Sequence, residues 1–204
     1  VVFVIGNDLV VIGIAKFNIV GLLQRRLFVP DFIQSGNDAT VALAEHIAGN
    51  ESAFVEMMNQ HAERLDMKAT HFNNSTGWPD DNHYTTARDL AKLSRAIIDD
   101  FPKHYSSYKI KEYTYNKIRQ PNRNPLVYGT VGADGLKTGH TEESGYGLVG
   151  SAERDGQRVI MVLNGMTSMK QRSSESRRLM DLMFRDFKTY RFFDKDQPVD
   201  QANV

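Results

Sequence analysis

The sequence predicts an α+β fold in which helices pack on an antiparallel sheet. Three observations carry that expectation. Helical periodicity dominates from Asp38 to Asp100, short alternating or apolar runs follow up to Asn164, and Ser174 to Tyr190 reads as one more amphipathic helix. Helices first, then strands, then a closing helix is the order of a sheet built from hairpins with helices laid against it. No internal repeat is visible.

Each element has a local reason. Residues 1–23 are almost continuously apolar, broken by Asn7, Asp8, Lys16 and Asn18, with Arg25 and Arg26 behind. A signal anchor is one reading of such a run. Asp8 and Lys16 near mid-span would each cost about 2.5–3.5 kcal/mol in a spanning helix. Valine and isoleucine interrupted by glycines favour a second reading, a pair of buried strands, and a third is a stretch foreign to the rest of the domain. Asp38 to Ala48 places Val41, Ala44 and Ile47 on one helical face and stops at Gly49. Asn50 can cap a second helix with an apolar stripe of Phe54, Met57, Met58, Ala62 and Leu65. Residues 71–84 are loop, and Thr86-x-x-Asp89 opens a helix to Asp100 as a capping box with Asp in the Glu position. Residues 110–118 alternate as a strand with one exposed face. Gly145 to Ala152 and Arg158 to Asn164 flank Glu153-Arg154-Asp155-Gly156, a hairpin signal.

Composition narrows the function classes. At 41% hydrophobic residues the 204-residue chain can bury a core, and its net charge is zero. That balance gives no electrostatic footprint for nucleic acid. Lys117, Arg119 and Arg123 form a small basic cluster, read as a solvated strand edge. There is no cysteine, so disulfides and thiolate chemistry are excluded. The six histidines match no zinc spacing, and no metal or cofactor is expected. Gly132 to Thr138 resembles a phosphate-binding loop, but Leu136 stands where the residue before the lysine must be glycine.

The chemistry sits in two short stretches. Lys137-Thr138-Gly139 closes a strand, placing a cation and a hydroxyl where they can meet a carboxylate, with a glycine leaving room for a ligand backbone. Ser35-Gly36-Asn37 sets a hydroxyl and an amide two residues apart on a turn. S-x-x-K, S-D-N and K-T-G are together the motif set of class A β-lactamases and penicillin-binding proteins. Two of the three are present, with Gly36 in the middle position.

The match runs further. Gln34-Ser35-Gly36-Asn37-Asp38-Ala39, Thr70-His71-Phe72-Asn73 leading to Gly77, and Thr86-Ala87-Arg88-Asp89 come in order. Arg119-Gln120 with Asn122-Arg123-Asn124, Asp134 through Thr141, Gly145-Tyr146, and Arg172 ahead of Glu175-Ser176 follow. From Ile33 to Phe193 the chain resembles the serine-type D-alanyl-D-alanine carboxypeptidases, the low-molecular-mass penicillin-binding proteins. The resemblance implies a β-lactamase/transpeptidase-like fold, a periplasmic or cell-envelope setting, and a peptidoglycan stem peptide ending in D-Ala-D-Ala as substrate. It also implies β-lactam antibiotics as ligands of intact relatives.

The resemblance further implies roles. A serine in S-x-x-K attacks the carbonyl between the terminal D-alanines, its lysine takes the proton, and water hydrolyses the acyl-enzyme. Ser35 would relay a proton to the leaving amine, and Asn37 would bond the substrate backbone. Lys137 would supply positive field, and Thr138 would bind the substrate carboxylate, with Gly139 and Thr141 lining the same strand. The backbone N–H of His140 would be an oxyanion donor, a contribution worth about 2.7–4 kcal/mol. Arg172 would either assist carboxylate binding or form a structural salt bridge.

One motif departs from the pattern. The family places S-x-x-K roughly sixty residues before S-x-N, whereas 34 residues precede Ser35. Gly13-Ile14-Ala15-Lys16 has the lysine without the serine. The expected division is an unassigned apolar segment over 1–32 and the back portion of a carboxypeptidase domain over 33–193, with its front part missing. Residues 194–204 would begin a linker to a C-terminal domain, and membrane association would come only through segments absent here. No convincing signal peptide is read. Two alternatives stand beside an active enzyme. One is a non-catalytic fragment or pseudoenzyme that binds peptidoglycan peptides. The other is a class A β-lactamase relative, against which no E-x-x-L-N stretch stands between Ser35 and Lys137.

Overall fold

The computed structural model describes residues 2–5 and 37–188. Strand β1 (Val2–Ile5) is followed by helices α1 (Asn37–Ala48), α2 (Glu51–Arg64), α3 (Ala87–Asp100) and the single turn α4 (Pro102–Tyr105). A 3₁₀ turn (Ser106–Lys109) leads into β2 (Glu112–Tyr115) and β3 (Ile118–Pro121), and a second (Pro125–Tyr128) precedes β4 (Ala133–Thr141). Strands β5 (Gly145–Arg154) and β6 (Gln157–Met166) and helix α5 (Met169–Asp186) complete the order.

The main sheet runs β1-β6-β5-β4. Its β6-β5-β4 part is antiparallel, as expected, while β1 pairs with β6 in parallel. Of the apolar run at the N-terminus only Val2–Ile5 lies within the described residues, and it is a strand.

Period-two alternation in β6 decides the layering. Ile160 and Val162 pack with Leu90, Ala91, Ile97 and Ile98 of α3, together with Leu136 and Val149. Val159, Met161 and Leu163 point the other way, against Leu126, Leu148 and the α5 residues Met180 and Met183. A sheet covered on both faces needs near-continuous apolar strands, and Val159 to Leu163 supplies one. A third cluster joins Ala44 of α1, Phe54, Met58 and Ala62 of α2, Met67 and Phe72. Spacing of four along α2 makes that stripe.

The caps explain most boundaries. Asn50 accepts from the Ala53 amide at 2.8 Å, and Gly49 ends α1 with a φ of 83° that side chains resist. Thr86 accepts from the Asp89 amide at 3.2 Å, but Asp89 does not complete a capping box. Its carboxylate, 3% exposed, turns to the Ala69 amide at 3.0 Å and the Thr70 hydroxyl at 2.9 Å. It therefore pins the start of the 71–84 loop to α3, a tertiary use of a residue whose spacing suggested a local one.

Two further expectations change. The stretch read as one strand over 110–118 is half of a hairpin, because Asn116 and Lys117 take φ values of 47° and 65° and reverse the chain. The basic cluster separates with it: Lys117 sits in that turn, Arg119 pairs with Glu112, and Arg123 lies beyond β3. Helix α5 starts at Met169 instead of Ser174. Ser168 caps it by accepting from Gln171 N, while the Gln171 side chain accepts from Thr167 N, so a capping pair fixes the earlier start. The hairpin at Asp155-Gly156 forms as expected, with φ values of 50° and 75°.

Candidate active site

Strand β4 is the terminal strand of the sheet and carries Lys137-Thr138-Gly139. Pairing with β5 sets Lys137 opposite Val149, Thr138 opposite Leu148, Gly139 opposite Gly147 and His140 opposite Tyr146. Lys137 is half-buried and donates from Nζ to the Thr138 carbonyl at 3.0 Å, and Thr138 is buried. The facing pair Gly139 and Gly147 carries no side chains, which leaves the ladder open where Arg172 of α5 approaches. Arg172 Nη1 reaches the Gly139 carbonyl at 3.4 Å, a long contact.

Arg172 is the electrostatic anomaly of this region. It is 6% exposed, and its Nε has no hydrogen-bond partner among the described residues. No carboxylate among those residues pairs with it. Burial lowers its pKa from the ordinary guanidinium value, opposed by Tyr146 and reinforced by the like charge of Arg123. Arginine stays protonated even so, and a buried unpaired cation is costly to keep. The structural salt bridge considered from sequence is not what the described residues provide.

Aromatic rings supply what an acid does not. The Tyr146 ring centroid lies 5.5 Å from Arg172 Cζ, and on the same ring the His140 imidazole stacks at 4.0 Å with the planes 37° apart. Cross-strand pairing of His140 with Tyr146 creates the stack. Thr141 Oγ1 accepts from the Ser144 amide at 2.9 Å, so this hydroxyl shapes the turn into β5.

Arg123 is the residue that sequence reasoning left on a strand edge. Buried Asn122 donates to the Ile110 carbonyl at 2.8 Å and accepts from the Asn124 amide at 2.9 Å. Buried Asn124 in turn accepts from Leu126 N at 3.0 Å. The two asparagines fix the backbone on both sides of an exposed Arg123 whose charge is felt at Arg172. The Asn-Arg-Asn spelling was the available signal: two short amides that structure a bend around one long cation.

Of the other sequence-predicted residues, Asn37 opens α1 with an exposed side chain, and Ser35 lies outside the described residues. Ser106-Ser107-Tyr108-Lys109 also spells S-x-x-K, a match the sequence reading passed over. It lies behind Ser35 in the chain, and Ser106 is exposed with Oγ donating to the Lys103 carbonyl at 2.9 Å. Thus Lys137, Thr138, Gly139, His140 and Arg172 converge at one end of β4, with Tyr146 and Arg123 added to them.

This order of motifs around an edge strand is tested by comparison. A family model described as D-alanyl-D-alanine carboxypeptidase matches residues 23–168. The chain belongs to the D-alanyl-D-alanine carboxypeptidase family. Among curated members, D-alanyl-D-alanine carboxypeptidase DacA of Haemophilus influenzae is 42% identical over 174 residues, covering 84% of this chain and 44% of that protein. The DacA enzyme of Escherichia coli is 46% identical over 158 residues, 77% of this chain and 39% of its own length. Solved members share the fold. Penicillin binding protein 5 from Haemophilus influenzae superposes with a TM-score of 0.76 at 45% identity, covering 79% of this chain and 47% of that one. Penicillin binding protein 6B from Escherichia coli gives 0.79 at 43% identity, covering 87% and 56%. The chain spans less than half the length of these two curated carboxypeptidases.

Proposed function

We propose that the end of β4 is the carboxylate-binding side of a serine-type D-Ala-D-Ala carboxypeptidase site, and that its ligand is a peptidoglycan stem peptide ending in D-Ala-D-Ala. One observation carries the reading: Arg172 is a buried guanidinium without an acid partner among the described residues, beside Lys137-Thr138-Gly139. A C-terminal carboxylate is the planar anion a guanidinium fork accepts with two hydrogen bonds. Lys137 and Arg123 add positive field, and the Thr138 hydroxyl can donate to the same anion.

In the full reaction the S-x-x-K serine attacks the carbonyl between the two D-alanines while the lysine accepts its proton. The tetrahedral oxyanion takes a hydrogen bond from the His140 backbone N–H. Collapse expels D-alanine, whose amine receives its proton through Ser35, and water then releases the shortened peptide as its acid. Asn37 holds the substrate backbone. In this polypeptide no S-x-x-K precedes Ser35, so the proposal for the chain itself is recognition of the peptide, with hydrolysis belonging to a site that includes that serine. A substrate of this kind places the work at the cell wall, in the periplasm or envelope. The same site is where a β-lactam would seat its carboxylate.

The test is binding, which needs no nucleophile. An N-acylated Lys-D-Ala-D-Ala peptide and its C-terminal amide are titrated against the chain and against Arg172→Gln by calorimetry. The acid binds the wild-type chain more tightly than the amide. Arg172→Gln removes that preference, weakening acid binding by about 1.5–3 kcal/mol, the worth of a charged hydrogen bond. Equal binding of acid and amide by the wild-type chain overturns the reading.

A further inference from the structure

We propose that Tyr146 is the positioning residue that holds the Arg172 guanidinium in place while leaving its N–H groups free for an incoming carboxylate. The inference rests on the carboxylate reading above and assigns the part of it that neither Lys137 nor Thr138 performs.

A buried cation must be compensated, and the choice of partner has consequences. An aspartate or glutamate would occupy the N–H fork and would have to be displaced before a substrate carboxylate could bind. An aromatic face attracts the guanidinium through the ring quadrupole and accepts none of its in-plane hydrogens. Arg172 has the second arrangement. Its Cζ lies 5.5 Å from the Tyr146 ring centroid, and among the described residues Nε makes no hydrogen bond and Nη1 makes only the 3.4 Å contact to the Gly139 carbonyl.

Tyr146 is itself held on several sides. It pairs with His140 across β4 and β5 and with Met166 across β5 and β6, and its ring packs against the core cluster that contains Leu148 and Met166. The β5–β6 register shifts between Tyr146 and Leu148, an irregularity that re-aims a side chain where it occurs. Gly145 is part of the same device. Its φ is 66°, and a Cβ there would stand 2.7 Å from the Met166 carbonyl oxygen, so glycine lets the strand approach closely at this point. The His140 ring packs against the Tyr146 ring as well, with the ring centroids 4.0 Å apart. A displacement of the Tyr146 ring therefore moves both the Arg172 fork and the residue whose N–H faces the oxyanion.

The ring is the active feature, so phenylalanine replaces it and leucine does not. Tyr146→Phe and Tyr146→Leu in the full chain are titrated with the N-acylated Lys-D-Ala-D-Ala acid and amide. Tyr146→Phe keeps the wild-type preference for the acid. Tyr146→Leu lowers that preference, read as the ratio of acid to amide affinity, about tenfold, within the range of a desolvated cation–π contact. A wild-type preference that survives intact in Tyr146→Leu overturns the role of Tyr146 alone. Absence of any acid preference in the wild-type chain overturns the carboxylate reading, and this role falls with it. A readout without ligand stands beside the titration: the Arg172 Nε–H resonance carries a ring-current shift in the wild-type chain and in Tyr146→Phe. An unshifted resonance in the wild-type chain overturns the proposal even if the leucine variant fails to fold.

Discussion

Tyr105 donates its phenolic proton to Asp134 at 2.7 Å, and that bond ties the helical layer to the entrance of the Lys137-Thr138-Gly139 strand. Asp134 occupies the irregular step in β4 where pairing shifts between Ala133 and Gly135. Arg158 of β6 donates to both Asp134 oxygens, at 3.1 and 2.9 Å, and to Ser151 Oγ at 2.8 Å, and also pairs with Glu153. Burial, with the nearby Asp134 charge second, raises the Tyr105 pKa well above the ordinary phenol value, so the donor keeps its proton. Two strands and a helix turn thus meet at one carboxylate, three residues ahead of Lys137, and Arg158 ties in β5 through Ser151 and Glu153.

The two partners of this bond differ in what their loss leaves behind. Tyr105→Phe removes one hydrogen bond and keeps the ring, at an expected cost of about 1 kcal/mol. Asp134→Ala removes the shared acceptor of Arg158 and the phenol, leaving Arg158 with Ser151 and Glu153, at about 2–3 kcal/mol. Urea denaturation of both variants measures the difference. If Asp134→Ala unfolds at the wild-type midpoint, the carboxylate does not organise the strand entrance.

Gly135 is the close-approach point of the same unit. A Cβ at this position would lie 2.6 Å from the Tyr105 hydroxyl oxygen and 3.1 Å from its ring carbon Cζ. Because Tyr105 is 6% exposed and bonded to Asp134, it has little room to withdraw. Gly135→Ala should cost about 1–3 kcal/mol, as overpacking does. Combined with Tyr105→Ala, the alanine at 135 should cost less than it does alone. Additive losses in that double-mutant cycle would show that the two residues do not press on each other.

His83 gives the fold a pH response with a definite sign. It is 2% exposed, and Nδ1 accepts from the Asn73 and Asn74 amides at 3.2 and 3.3 Å, so the ring is neutral with its hydrogen on Nε2. Burial lowers its pKa from 6.5, against the pull of Asp80 and with a small push from His71. The unfolded chain then binds the proton more readily than the folded one. Stability from this group is complete above 6.5 and is lost as pH falls from there through the folded-state value. Protonating Nδ1 would also break both amide bonds that shape the loop. Between about pH 7.5 and about pH 5.5 the wild-type chain should lose more stability than His83→Gln, which cannot titrate. Parallel pH profiles for the two would rule His83 out as the cause.

Much of the fold was legible because its signals are local. Asn50 and Thr86 cap the helices that follow them, the Phe54-Met58-Ala62 stripe is buried, and Asp155-Gly156 turns the hairpin. Such features depend on neighbours within a few residues, which is what periodicity and turn chemistry report. The candidate site announces its motif residues in the sequence but not the couplings between them. Nothing in the sequence brings Arg123, Tyr146 and Arg172 together, since they sit on a loop, a strand and a helix that only sheet pairing and packing bring into one place. Asp89 shows the reverse error: its spacing spells a helix cap, and the fold spends its carboxylate on the loop before α3. Helix α5 began early because Ser168 and Gln171 hold its first turn, whereas the apolar pattern reads clearly only from Ser174 onward.

Covalent labelling separates recognition from catalysis in this polypeptide. A β-lactam leaves a stable adduct only where a serine is activated by a neighbouring base. Ahead of Ser35 the present sequence has Gly13-Ile14-Ala15-Lys16 in place of S-x-x-K, and Ser106 donates to the Lys103 carbonyl from an exposed 3₁₀ turn. Incubated with a fluorescent penicillin and separated by denaturing electrophoresis, the 204-residue chain should show no labelled band. Unlabelled penicillin should still compete for the D-Ala-D-Ala peptide, because the contacts proposed for its carboxylate are Arg172, Lys137 and Thr138, none of which is the nucleophile. A band that survives denaturation and disappears in Ser106→Ala would make that serine the nucleophile and move the catalytic centre away from the end of β4.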